Sequence, residues 1–232
     1  MCDRPPKLVV TYKTRIPLHH INSHIKLQQS MMTKRKPQSY DYFLVLDFEA
    51  TCCEEGKMRP QEVIEFPVLK VNAKTYEIDS SFHQFVKPKH HPILSRFCMD
   101  LTSITQEEVD GGKPFPEVFK DFDKWIKEDV GINNKFLFVT CGDWDLKTML
   151  PSQCASENLQ VPAYCKKWLN IKKSYAIVKG EYIKGMMPMI KGLGLTHTGR
   201  LHRGFDDCKN IANILKALAD HGCTFLPTMT IE

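Results

Sequence analysis

The chain has 232 residues, 42% of them hydrophobic and 25% charged, with a formal net charge of +5. That is the make-up of one globular domain with a tail, and no apolar run approaches the roughly 18 residues a membrane helix needs. Nine scattered cysteines without a Cys-x-x-Cys pair argue against a zinc site. They point to reduced thiols in a cytoplasmic or nuclear protein, with a basic mitochondrial presequence as the minority alternative.

Residues 1–40 hold eight Lys/Arg against one acid, a local charge of +7 that leaves −2 for the rest. With Pro5, Pro6, Pro17 and Pro37 and no sustained period, they read as a flexible arm suited to a polyanion, or simply a solubilising leader. A single compact domain is expected over 41–232. It opens with Phe43-Leu44-Val45-Leu46, a run buried on both faces that ends in Asp47-Phe48-Glu49-Ala50-Thr51. Continued as a strand, it sets Asp47 and Glu49 on one side and Phe48 on the other. Two like charges there imply a cation between them, unless the strand has ended and water solvates both.

A polar loop, Cys52 to Pro60, leads to a second strand over Glu62–Val71, which Pro67 should make irregular or bulge. Asn72-Ala73-Lys74 is a turn, and Tyr76–Val86 a third strand, giving an antiparallel meander. Short helical pieces follow at Ile93–Met99 and Thr105–Val109, the latter with a Thr105/Glu108 capping box. A helix with Val118, Phe119, Phe122, Trp125 and Ile126 on one face runs from Pro114 to about Glu128. Phe136–Thr140 is a buried strand, followed by a helix from about Trp144 to Asn158. Trp168–Ile171 is a fifth strand, Pro188–Leu193 a short helix, and Phe205–His221 the last helix, closed by Gly222. The pattern describes an α/β domain with a mixed sheet and helices on both sides.

Acids recur at the later element ends. Asp143 and Asp145 share the turn after the fourth strand; Asp143 is the natural helix N-cap, but their roles are interchangeable on these grounds alone. In His202-Arg203-Gly204-Phe205-Asp206-Asp207, Asp206 suits the helix start. Asp207 falls on the inward stripe with Ile211 and Ile214. His202 lies across Gly204 and can hang over the same spot; a lone loop histidine is ordinarily just solvated. Acids gathered at one sheet edge form a hard-cation cage for Mg²⁺ or Mn²⁺, and two such ions support phosphodiester displacement, with histidine taking the proton of water.

Asp47-x-Glu49, Asp145, and His202 with Asp207 five residues on resemble the DEDDh branch of the DnaQ-like, ribonuclease H-fold 3′→5′ exonucleases. The stretches Leu46–Cys52, Gln61–Pro67, Phe97-Cys98, Leu101-Thr102, Trp168–Ile171 and Asp207–Ala212 are similar to the enhanced-RNAi (three-prime histone mRNA exonuclease-like) exoribonucleases, closest to the single-domain members. The resemblance implies a ribonuclease H-like mixed five-stranded sheet flanked by helices, in a monomer. It also implies two Mg²⁺ ions, with Mn²⁺ as substitute, on Asp47, Glu49, Asp145 and Asp207, and His202 as general base beside Glu49. By the same resemblance Glu49, Ala50, Thr51 and His202, with Phe97, Leu101, Thr102 and Trp144, hold the terminal nucleotide. Taken singly, Phe97 and Trp144 fit core packing. Arg203 stands where the tyrosine-type branch needs Tyr, and Ser103 where the family often has Gly. The implied activity is release of nucleoside 5′-monophosphates from single-stranded or overhanging RNA 3′ ends. A DNA or dual-specificity exonuclease and an inactive RNA-binding scaffold are the alternatives.

Overall fold

The computed structural model describes residues 35–56 and 58–231, and the expectations for 1–34 lie outside them. In chain order the strands and helices are β1 (Tyr42–Leu46), β2 (Glu49–Ala50), β3 (Val63–Asn72), β4 (Ile78–Lys87), α1 (Arg96–Thr102), α2 (Gln106–Asp110) and β5 (Lys113–Pro114). There follow α3 (Phe115–Trp125), β6 (Phe136–Thr140), α4 (Leu150–Ser156), β7 (Lys167–Asn170), α5 (Ile171–Lys179), α6 (Met186–Gly192), α7 (Gly204–Asp220) and β8 (Met229–Thr230).

β1 is central because its alternation feeds two cores. Phe43 and Val45 join Tyr175, Met189, Ile211, Leu215 and Leu218 from α5, α6 and α7 on one face. Leu44 and Leu46 join Val118, Phe119, Phe122 and Leu150 from α3 and α4 on the other. Each such side chain, fully buried, contributes about 1.5–3 kcal/mol. The sheet runs β5-β4-β3-β1-β6-β7-β8, with β2 beside β3. β3 is antiparallel to β1 and β4, while β6 is parallel to β1 and β7. The expected mixed sheet flanked by helices is therefore present. Its five long strands match the expected five, and β2, β5 and β8 are two-residue additions too short to carry a sequence pattern.

Some boundaries differ. Pro67 does not bulge β3; the β3/β4 register shifts between Lys70 and Val71 instead. Pro67 pairs with His83 of β4, while on its other edge it falls in the gap between the stretches of β3 that pair with β1 and with β2. Ile171 belongs to a helix, not to the fifth strand, because the Asn170 side chain accepts the Lys172 N–H and starts α5 there. The end of the presumed arm lies on the body: Arg35 pairs with Asp220, and Gln38 bonds the backbone at Cys223 and Phe225. The Thr105/Glu108 capping box is present. Among the described residues the cysteines are free thiols, and no helix is long and apolar enough to cross a membrane.

Ser103 ends α1 in the left-handed region (φ 58°, ψ 19°), its N–H bonded to Met99 O. A side chain is strained there, whereas glycine is not. Ser103→Gly should therefore raise stability by about 1 kcal/mol. Thermal denaturation in EDTA checks this, and a lower melting temperature would count against it.

Candidate active site

The site begins where β1 fails. Pairing with β3 stops at Leu46 and resumes only at Glu49, opposite Glu65, so the strand expected to continue past Asp47 is interrupted. Phe48 sends its side chain into the α3/α4 core. Its N–H, freed from the ladder, donates to Asp145 Oδ1 at 3.0 Å. The break that takes Asp47 and Phe48 out of the ladder thus also docks the third acid.

Asp145 opens a π-helical turn, Asp145–Met149, that leads from β6 into α4 and leaves its carboxylate 5% exposed. Asp143 is not the expected N-cap, since its carboxylate accepts the Trp168 indole N–H at 3.0 Å. Lys172 Nζ lies beside Gly142, and its charge partly offsets the burial of Asp145.

Asp207 is 4% exposed on the first turn of α7, as its place on the inward stripe required. Its Oδ2 accepts the His202 N–H at 2.8 Å, and its Oδ1 is buried with no partner. His202 is itself exposed and sits in the left-handed region (φ 61°). One ligand atom each from Glu49, His202 and Asp207 lies within 4.8 Å of the others.

Asp206 does not cap α7 either; it accepts the Arg200 N–H and pairs with Lys209. The cap comes from the strand beneath, β3. Glu65, fully buried, accepts the Gly204 and Phe205 N–H groups at 2.9 and 3.3 Å, with His83 Nε2 at 2.8 Å and Arg203 Nε at 3.8 Å. Its only sequence signal is an acid inside the apolar run Val63-Ile64-Glu65-Phe66. Gly204 has to be glycine for this junction, because a Cβ there would sit 2.6 Å from the Asp47 carbonyl oxygen and 2.9 Å from Pro67 Cγ. That close approach is what sets Asp207 beside Asp47.

Burial raises the pKa of all four acids, and at Asp47 and Glu49 the neighbouring carboxylates add to it. Burial lifts Glu49 to about 9, with the charges of Asp207, Glu65 and Asp145 adding to it. Burial and then the charges of Asp145, Glu49 and Asp207 hold Asp47 well above the carboxylate range. Asp145 and Asp207 rise to about 6, mainly through burial. Oxygen donors with one buried orphan among them suit a hard divalent cation.

Around this floor the expected nucleotide contacts divide. Phe97, Leu101 and Trp144 are 40%, 36% and 39% exposed, so none of them is spent on core packing. Phe97 and Leu101 stand four apart on α1, on one side of the helix. Ala50, Thr51 and Thr102 are buried. The Thr51 hydroxyl accepts the Glu62 N–H, and the Thr102 hydroxyl donates to Cys98 O and accepts the Ile104 N–H. The Thr102 hydroxyl is thus engaged by backbone as both donor and acceptor, and the Thr51 hydroxyl as acceptor.

The model of the RNase T exonuclease family matches residues 44–215. ERI1 exoribonuclease 3 of Homo sapiens is 51% identical over 200 residues, which cover 85% of this chain and 59% of that protein. The chain therefore spans about three-fifths of the length of this curated relative. The crystal structure of the nuclease domain of 3′hExo, a DEDDh family member, bound to rAMP, has 38% identity and a TM-score of 0.80, covering 83% of this chain and 98% of that one. A structure of 3′-end specific recognition of histone mRNA stem-loop by 3′-exonuclease has 35% identity and a TM-score of 0.81, covering 92% and 76%.

Two consequences can be measured. Acids whose folded pKa values are raised bind more protons folded than unfolded, so their stabilising contribution is greatest in acid and is lost as pH rises through about 6 and on toward 9. In EDTA the melting temperature should fall from about pH 5 to about pH 9, and Mg²⁺ should flatten the profile; a flat profile in EDTA would contradict the electrostatic account. Glu65→Gln offers one acceptor where Glu65 faces several donors, and should cost about 2–4 kcal/mol in urea unfolding.

Proposed function

The chain belongs to the exonuclease family, in its ERI1-like exoribonuclease group, and we propose that it is a divalent-cation-dependent 3′→5′ exoribonuclease. It acts on single-stranded or overhanging RNA 3′ ends and releases nucleoside 5′-monophosphates. The observation that carries this reading is the convergence of Glu49, His202 and Asp207 within 4.8 Å, with Asp207 Oδ1 buried and unpartnered. The relatives' names and the rAMP bound by the 3′hExo nuclease domain support RNA and a monophosphate.

Asp47, Glu49, Asp145 and Asp207 would hold two Mg²⁺ ions, for which Mn²⁺ can substitute. Bound there, the ions supply an acidified water and charge neutralisation at the scissile phosphate. The residues do the rest. Asp145 is fixed by the Phe48 N–H and Asp207 by the His202 N–H, so the carboxylates are oriented before substrate arrives. The His202 imidazole, exposed above the acids, accepts the proton of the attacking water. Phe97, Leu101 and Trp144 offer apolar faces to the terminal nucleotide, a sequence-tolerant mode suited to single strands.

A time course on 5′-labelled single-stranded RNA with Mg²⁺, beside the same sequence as DNA, tests the reading. It should give a descending one-nucleotide ladder on RNA. Asp47→Asn and His202→Ala should each slow it by about 10²–10⁴-fold. An equal or faster DNA ladder would move the substrate class to nucleic acid in general, and RNA binding without products would leave a scaffold.

A further inference from the structure

His197 lies outside the His-x4-Asp pattern, in the loop between α6 and α7, yet that loop is fixed over the site. Asn210, 1% exposed on α7, accepts the Thr198 N–H at 3.0 Å and donates to Thr198 O and Asp206 O at 2.8 and 2.9 Å. This clamp holds the neighbouring His197 with its Nε2 buried, without a partner, 3.9 Å from Asp207 Oδ1. Asp207 Oδ1 is the other buried orphan of the pair. The gap is too long for a hydrogen bond, but a small carboxylate rotation or one bridging water closes it.

We propose that His197 is a positioning residue for Asp207. Its Nε2–H takes one lone pair of Oδ1 and turns the other toward a cation shared with Glu49. The carboxylate is then held from both ends, by the His202 N–H on Oδ2 and by His197 on Oδ1. The two histidines divide the work by exposure. His202 is open to water and suited to proton transfer, whereas the His197 side chain is 18% exposed and suited to holding. The inference rests on the cation-dependent reading above.

The test is a titration of the full chain with Mn²⁺ alone, free Mn²⁺ being read by electron paramagnetic resonance, for wild type, His197→Ala and His197→Gln. His197→Ala should bind Mn²⁺ about 10–100-fold more weakly. His197→Gln, which keeps an N–H donor, should recover most of the loss. In the RNA assay the Mn²⁺ half-saturation should shift by the same factor, while kcat at saturating Mn²⁺ stays near wild type. Wild-type Mn²⁺ affinity in His197→Ala overturns the proposal and leaves the exonuclease reading intact. His197→Gln as weak as His197→Ala, with the same drop in metal-free Tm, assigns His197 to packing and also overturns it. Failure of wild type itself to bind Mn²⁺ overturns both readings.

Discussion

The capping of α7 by Glu65 is the contact on which the site's geometry depends. A carboxylate near the start of β3 takes the first free N–H groups of the helix packed on that face of the sheet. That fixes where α7 begins, and Asp207 sits on its first turn. Helix starts usually use an acceptor of their own, but Arg203 stands at the cap position with a side chain that can only donate, and Asp206 is engaged elsewhere. A local cap would leave the helix free to slide along the sheet, whereas a cap from β3 ties its first turn to the strand that pairs with Glu49. Arg203 extends the tie, bonding Ser103 O and Glu108 beyond α1, so the His202 loop and the Phe97 helix are joined to the same frame.

This frame confines charges that repel one another. Asp47, Glu49, Asp145 and Asp207 all have raised pKa values, through burial first and, at Asp47 and Glu49, through one another's charge. Such a cluster lowers stability, so the sheet beneath must supply the surplus. It does: β1, among the most buried strands, ends at the site, and its neighbours β3 and β6 carry Phe66, Val68, Phe138 and Val139 with essentially no exposure. Rigidity and electrostatic strain are therefore adjacent by construction, the strain at the carboxyl end of the strands and the packing behind it.

What could be read from the residues alone follows the range of the interaction involved. Short-range patterns were legible: the buried run before Asp47, the capping box at Thr105 and the inward stripe bearing Asp207 depend on neighbours a few residues apart. Asp143 and Asp206 were misread as caps because their actual partners, Trp168 and the Arg200 and Lys209 groups, are set by tertiary packing or loop closure. Glu65 caps a helix 139 residues away in sequence, which no local rule anticipates. The same holds for His197, an unremarked loop histidine until Asn210 fixes its loop over Asp207. β2 escaped notice for another reason. Two residues carry no period, and its existence depends on the break at Asp47-Phe48.

The break is also where local preference and function diverge most. Phe48 would sit comfortably in a continued strand, and Asp47 would then fall in the ladder beside Pro67. Instead the chain steps out for two residues, and the ladder hydrogen bond lost at Phe48 is replaced by one to Asp145. The replacement keeps the backbone satisfied, so the step costs less than an orphaned buried N–H would. It also couples two acids through the main chain, because moving Asp145 would unpair Phe48 and disturb Asp47 and Glu49 on either side. The arrangement of the acids is thus enforced by backbone hydrogen-bonding needs, and less by the carboxylates themselves, whose charged forms only push apart.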